Sequence, residues 1–201
     1  MNHEIQRLNS GGENALAGLF SDYRDRLERL VEFRLDPRLR SRVDSADVLQ
    51  EAYIEMARRH HQYLISPEVS FYVWARQITL QTLIDVQRRR FGQKRSPQHE
   101  IRFVRTPTEG TSDSIAQFLC AQLASPSSAA IRAEETQQLQ QALASMDEID
   151  REVLALRHFE HMGNAEVAEA LGLSTTAASN RYIRAMTRLG EIMQPFTKEL
   201  E

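Results

Sequence analysis

Three arginines near the carboxyl end of the chain have the spacing of one helix face. Arg181, Arg184 and Arg188 follow one another at steps of three and four residues, so at about 100° per residue they project from the same side of a helix. Arginine contacts phosphates and reads guanine edges, which makes this helix a candidate for entry into a DNA major groove. The alternative is a solvated basic face on a helical hairpin. The preceding turns carry small polar side chains that can also reach bases: Thr175, Thr176, Ser179 and Asn180.

A second basic cluster, formed by Arg88, Arg89 and Arg90, ends a segment that contains several aromatic residues. Between residues 71 and 105 there are eight Lys or Arg and only two acids. Such a run can contact several phosphates, with an affinity that falls as the salt concentration rises. Tyr63 and Trp74 lie just upstream and can stack exposed bases, although the helical spacing of Trp74 favours a core position for it.

Three acidic residues, Asp44, Asp47 and Glu51, gather around the start of a predicted helix. They suit either a divalent metal site of a nuclease or phosphotransferase, or an acidic docking face for a basic protein. Acids are also favoured at a helix start by the helix dipole alone. The chain has no glycine-rich phosphate loop, nucleophile elbow or catalytic triad pattern, and no His–Cys cluster at metal-ligand spacing. We therefore expect no enzyme, no metal and no cofactor.

These side chains need helices to position them, and apolar periodicity predicts three helices in the first half of the chain. The first carries apolar residues from Leu16 to Leu30 and ends before Pro37. The second begins at a cap formed by Asp44 and ends near Arg59, and a loop of residues 60–70 follows. The third spans about residues 70–90, and its two apolar flanks predict packing against two neighbours.

The second half of the chain predicts a connector and then four helices. The connector, about residues 96–128, contains prolines, but Ile115 and Phe118 have helical spacing, which predicts a short helix that docks on something. Helices are expected over about residues 129–146 and from an Asp147 or Asp150 cap to Phe159.

The last two helices are predicted to form a helix-turn-helix. Asn164 can cap a short helix, Gly172 can supply the left-handed residue that ends it, and Ser174 can cap the next helix at once. This order of cap, glycine and cap is the pattern of two helices joined by a tight turn.

Composition agrees with a helical protein that acts in a reducing compartment. The chain has 201 residues, of which 41% are hydrophobic and 7% aromatic, with a formal net charge of -3. Its one cysteine, Cys120, excludes an intramolecular disulfide. Residues 1–10 lack the features of a signal peptide, and no apolar run reaches the roughly 18 residues of a membrane span. We expect a cytoplasmic protein with no membrane insertion.

Three stretches, in this order, resemble the signatures of bacterial RNA polymerase sigma factors of the extracytoplasmic-function (ECF) type. The first, residues 47–53 (DVLQEAY), resembles the motif of the helix that binds the polymerase clamp. The second, from Phe71 through Trp74 and Asp85 to Arg88, resembles the element that opens the promoter. The third, residues 165–174 followed by 178–181 (ASNR), resembles the helix-turn-helix that reads the minus-thirty-five element. Gln81 replaces a usual Asn, and Ser179 stands where Lys is common.

The resemblance implies an all-α fold of two small helical domains joined by a linker. Residues 13–95 correspond to sigma region 2, residues 96–128 to the linker, and residues 129–195 to sigma region 4. It implies three sets of contact residues: Asp47, Gln50 and Glu51 for core polymerase; Tyr63, Trp74, Gln81, Arg88, Arg89 and Arg90 for the minus-ten element and phosphates; Thr175, Thr176, Ser179, Asn180, Arg181, Arg184 and Arg188 for the minus-thirty-five element.

The resulting prediction is a promoter-specificity subunit whose partners are core RNA polymerase and promoter DNA. The resemblance also implies an anti-sigma factor as a partner. The alternative is a two-domain helix-turn-helix regulator that binds operators without being a polymerase subunit.

Overall fold

The computed structural model describes residues 3–91, 111–122 and 129–197. Within these ranges it is helical and contains no strand, which confirms the all-α prediction. The helices form two compact units, α1 to α3 and α4 to α8. Their bounds are α1 His3–Arg34, α2 Ser45–Ile65, α3 Phe71–Arg90, α4 Thr111–Gln122, α5 Ala129–Ala144, α6 Glu148–Leu154, α7 Asn164–Leu171 and α8 Thr175–Thr197.

Helix α1 begins earlier than the sequence predicted and reverses direction at Gly12. Gly12 has the non-helical angles φ 53° and ψ -132°. A side-chain hydrogen bond of 3.1 Å joins Arg7 to Asp22, whereas a straight helix would separate these residues by roughly 22 Å along its axis. Residues 3–11 therefore fold back on the rest of α1. Their Leu8 side chain is fully buried, so this short segment is part of the core.

The three helices of the first unit all pack on one another, with α3 enclosed by both neighbours. Six consecutive residues at its start, Phe71 to Arg76, are buried, which confirms that α3 needed two packing partners. Helix α2 starts at the predicted cap, where the Asp44 carboxylate accepts from the Ala46 amide at 2.9 Å. It continues to Ile65, so the loop predicted from residue 60 begins only at Ser66.

The second unit is built from α4 to α8. Helix α4, which lies inside the predicted linker of residues 96–128, packs on α5 and α6. Phe118 meets Phe159 edge to face, with ring centroids 4.7 Å apart. Phe159 belongs to a single π-helical turn, Ala155–Phe159, that continues α6. The cap of α6 is Asp147, whose carboxylate accepts from the Ile149 amide at 2.9 Å.

Helices α7 and α8 form the helix-turn-helix that the sequence predicted. Gly172 ends α7 in the left-handed conformation at φ 62°, and the Ser174 hydroxyl accepts from the Ala177 amide at 3.1 Å. The expected cap at Asn164 is wrong, because Gly163 occupies that position and its amide donates to the Glu166 carboxylate at 2.8 Å. The side-chain amide of Asn164 instead donates to the Thr175 carbonyl at 2.9 Å and so links the two helices.

Replacing Gly172 with Ala tests whether this turn depends on a left-handed residue. We expect the free energy of unfolding to fall by about 1 kcal/mol or more, because an L residue at positive φ is strained. Gly190→Ala is the matched control: it lies within α8, and neither position has an atom within 4 Å of the added methyl group. That change should stabilise by about 0.5–1 kcal/mol. Urea unfolding measures both, and equal effects of the same sign would contradict the role of Gly172.

Candidate nucleic-acid and protein-binding surfaces

Helix α8 presents one exposed face that is suited to contact with DNA. Thr176, Asn180, Ile183 and Thr187 follow at steps of four, three and four residues, and all are exposed. The opposite side, with Ala178, Ala185 and Ile192, is buried. We call the first set the outer face of α8. The predicted contact residues Thr176 and Asn180 lie on it, and Thr175 is exposed at the start of the helix.

Ile183 lies at the centre of the outer face and is not among the contact residues predicted from the sequence. It exposes 62% of its surface, although a large aliphatic residue is ordinarily placed inside a protein. Its spacing of seven residues from Thr176 and three from Asn180 predicts that it lies on the same helix face as these two polar residues.

Arg181, one of the predicted DNA-contact residues, does not belong to the outer face. Its guanidinium lies 2.7 Å from the Asp150 carboxylate and 3.4 Å from that of Asp147. Arg184 is closer to the exposed side: its Nε is 3.4 Å from Asp150, and 62% of its side chain is exposed. The other predicted residues of α8 are Ser179, which is half-buried, and Arg188, which pairs with Glu191 at 2.7 Å.

In the first unit, α2 presents a second face of exposed side chains. Asp47, Glu51, Ile54 and Arg58 lie at steps of four, three and four residues, with Gln50 at their edge, and all are exposed. Ile54 is 44% exposed and was another residue that the sequence analysis missed. We call these five residues the α2 face. Glu51 lies 2.5 Å from Arg89 of α3, so one predicted polymerase contact is paired with one predicted phosphate contact.

A surface recess of about 250 Å³ adjoins the α2 face. Asp47, Gln50 and Glu51 form part of its lining together with Ile54, and Arg90 approaches from α3. Its remaining lining residues, Val43, Val48 and Val86, are buried valines. An apolar floor with a charged rim can accept a side chain from a protein partner.

Tyr63 and Trp74, two residues predicted to contact the minus-ten element, lie in the core. Their rings stack at a centroid distance of 4.6 Å, and they expose only 4% and 5% of their surface. The Tyr63 hydroxyl donates to the Val69 carbonyl at 2.9 Å. The pair therefore holds the 66–70 loop against α3, and neither ring offers an open face to a base.

The remaining predicted residues of α3 lie toward its end. Gln81 and Arg88 are half-buried, whereas Arg89 and Arg90 are exposed. Gln81 and Arg88 line a groove of about 400 Å³ between α2 and α3. The side-chain amide of Gln81 donates a hydrogen bond of 3.5 Å to the Asp85 carboxylate. Lys94 and Arg95, which would extend the basic cluster, lie outside the described residues.

The proposed metal site finds no support in the geometry. Asp44 uses a carboxylate oxygen to cap α2. Within residues 3–91, 111–122 and 129–197, no three His, Cys, Asp or Glu side chains come together as a group that could hold a metal ion. None of the helices described is long and apolar enough to cross a membrane.

A histidine packs beside α8. The ring of His158, in the π-helical turn, stacks on Tyr182 with centroids 5.6 Å apart, and its Nε2 lies 3.1 Å from the Tyr182 hydroxyl. Partial burial lowers the pKa of His158 below its ordinary 6.5, and the nearby charges of Arg157 and His161 lower it further. The lowered pKa favours the neutral form of His158, in which its ring can share a hydrogen bond with Tyr182.

Comparison with known proteins identifies a matching family and a similar fold. The model of the family described as ECF sigma factor matches residues 1–194. A solved structure of CnrH, in complex with the cytosolic domain of CnrY, is similar in fold with a TM-score of 0.52. The match has 19% sequence identity and covers 96% of each chain. A search of curated proteins found no significant match.

The lowered pKa of His158 can be measured by NMR. We expect its ring to titrate with a midpoint below 6.5, and Arg157→Gln should raise that midpoint because a positive charge is removed. Folded His158 takes up its proton at lower pH than the unfolded chain, so its contribution to stability is present above pH 6.5 and is lost as the pH falls through the folded pKa. Arg58→Gln, on the first unit, should leave the midpoint unchanged. A midpoint at or above 6.5 would contradict the packing of His158 on Tyr182.

Proposed function

This chain belongs to the ECF sigma factor family, and we propose that its two units divide the tasks of that family between them. The protein binds core RNA polymerase and promoter DNA and directs transcription initiation. The proposal concerns which residues make each contact. The observation that carries it is the exposed, largely polar outer face of α8, the second helix of a helix-turn-helix that lies within the matched residues.

The first unit, with residues 13–95 as sigma region 2, supplies the polymerase contact. Asp47 and Glu51 form an acidic rim with the neutral, polar Gln50 beside them, and Ile54 adds an exposed apolar group beside a recess with a valine floor. Charge complementarity with a basic surface would favour encounter and orientation. A central apolar side chain inserted into the partner would supply much of the affinity.

The same unit contacts the minus-ten element through polar and basic residues of α3. Gln81, Arg88, Arg89 and Arg90 are the groups that remain accessible for bases and phosphates. Glu51 already balances part of the charge of Arg89, which leaves Arg90 as the most accessible phosphate contact of the three arginines. Tyr63 and Trp74 support this function indirectly, because they hold the 66–70 loop in place.

The second unit, with residues 129–195 as sigma region 4, reads the minus-thirty-five element. Thr176, Asn180 and Arg184 can hydrogen-bond to base edges, while Thr175, Ser179 and Arg188 lie where they can contact the backbone. Ile183 can pack against the C5 methyl group of a thymine, which is the main apolar feature of the major groove. Arg181 has a different role, since its charge is already paired within the unit.

Residues 96–128 join the two DNA-binding elements, so each raises the effective concentration of the other on the promoter.

We propose that the protein has no catalytic activity of its own and acts in the cytoplasm, where its polymerase and promoters are found. An anti-sigma factor is a further proposed partner, since the structurally similar CnrH was solved in complex with the cytosolic domain of CnrY.

Asp47→Lys tests the polymerase contact. We expect the affinity for core polymerase to fall about tenfold or more, because an attractive charge becomes repulsive at the rim of the docking surface. Binding titrations with fluorescently labelled protein measure this loss. Asp25→Lys makes the same charge change at an exposed position of α1 and should have little effect. Equal binding by wild type and Asp47→Lys would show that Asp47 lies outside the polymerase contact. No binding by the wild type would favour the alternative, a helix-turn-helix regulator that acts without polymerase.

Replacing thymine with uracil tests the contact of Ile183. Run-off transcription on genomic fragments first identifies a promoter, and each minus-thirty-five thymine is then replaced in turn. We expect one replacement to weaken binding of the wild-type holoenzyme several-fold, because the C5 methyl group is removed, while Ile183→Ala becomes insensitive at that position. Ile65→Ala, an equivalent change at an 84% exposed residue of α2, should retain the sensitivity. Unchanged sensitivity in Ile183→Ala would exclude this contact.

A further inference from the structure

We propose that Asp150 is a positioning residue for promoter recognition. It gives two neighbouring arginines of α8 different roles: one anchors the helix inside the unit, and the other contacts DNA. The proposal rests on the function of the second unit given above. Arg181 and Arg184 are three residues apart, and the sequence pattern treats them as equivalent. Their contacts with one carboxylate make them different.

The Asp150 carboxylate lies inside the unit and uses both oxygens. Its side chain is only 9% exposed. Oδ1 accepts a hydrogen bond from Arg181 at 2.7 Å, while Oδ2 lies 3.4 Å from Nε of Arg184. Asp147, the cap of α6, adds a second acidic contact to Arg181 at 3.4 Å. Arg181 thus lies between two acids of α6.

This arrangement makes Arg181 an anchor of α8 on α6. Its side chain is 23% exposed, so its charge is partly removed from water and depends on the acids for compensation. A phosphate would have to compete with a carboxylate that is already at hydrogen-bond distance. Arg181 therefore sets the position of α8 and makes no phosphate contact in the wild-type protein.

Arg184 is held in a way that leaves its DNA-binding groups available. The contact with Asp150 uses Nε, whereas a guanidinium can use its two terminal nitrogens for a bidentate contact with guanine or phosphate. In the part of the chain that the structure describes, Arg184 makes no other ion pair. With 62% of its side chain exposed, its terminal nitrogens can be directed outward while Nε remains restrained.

Asp150 should therefore favour discrimination between sequences at some cost in affinity. Without this charge, Arg181 keeps only its longer contact with Asp147, and both arginines can turn toward phosphates. Phosphate contacts carry no sequence information. Wild-type Asp150 prevents one of these contacts and restrains the geometry of the other. The loss of Asp150 should increase non-specific binding.

The test compares Asp150→Asn with wild type in reconstituted holoenzyme, using the identified promoter and a duplex with a scrambled minus-thirty-five element. We expect tighter binding of the scrambled duplex, a preference for the promoter reduced about tenfold, and a salt slope steeper by about 0.9 for one added phosphate contact. Glu148→Gln removes the same charge from an exposed position of α6 and should leave the slope and the preference unchanged. Unchanged slope and preference in Asp150→Asn would refute the proposal.

Two arginine variants test the same division if Asp150→Asn does not fold. Arg181→Gln should lower the thermal midpoint and leave the salt slope unchanged, whereas Arg184→Gln should make the slope shallower by about 0.9 and reduce the preference. Equal loss of slope in both variants would show that Arg181 also contacts DNA and would overturn the proposal. If wild-type holoenzyme itself shows no preference for the promoter, the proposed function of the second unit fails, which is a separate result.

Discussion

The need of α8 to bury one side decides what the second unit can present to DNA. Ala178, Ala185 and Ile192 pack inward, and the small side chains of the two alanines allow close approach of neighbouring helices. Once that side is covered, Thr176, Asn180 and Ile183 must face outward. The acids of α6 then take Arg181 into the unit and restrain Arg184. The composition of the outer face of α8, the proposed DNA-contact surface, is thus a consequence of core packing.

In the first unit, core packing likewise decides which side chains are exposed. Because α3 is enclosed by α1 and α2, its aromatic residues serve as core, and the accessible functional groups lie on α2 and at the end of α3. The α2 face combines acids with an exposed isoleucine, whereas the end of α3 is basic. A chain with a net charge of -3 therefore carries surfaces of opposite charge on neighbouring helices, which suits our proposal that one contacts a protein and the other DNA.

The differences between expectation and structure have local physical causes. The sequence predicts that α2 ends near Arg59 because polar residues follow, and these are expected to form a loop. In the structure, however, His60 is buried and its Nδ1 lies 2.7 Å from the Ala57 carbonyl. The segment before Gly12 is too short to show a clear period, and its helix is stabilised by contacts with Asp22 and other distant residues. Both errors arise where tertiary contacts outweigh local preference.

The sequence by itself determined the helical class, most helix positions and the turn between α7 and α8, because these depend on periodicity and on groups a few residues apart, such as Gly172 and Ser174. Only the tertiary structure decided which side of each helix is available to a partner. Periodicity places Arg181 and Arg184 at known angles to each other but does not say where the neighbouring helices lie. The acids that separate their roles come from more than thirty positions earlier in the chain, and only folding brings them together.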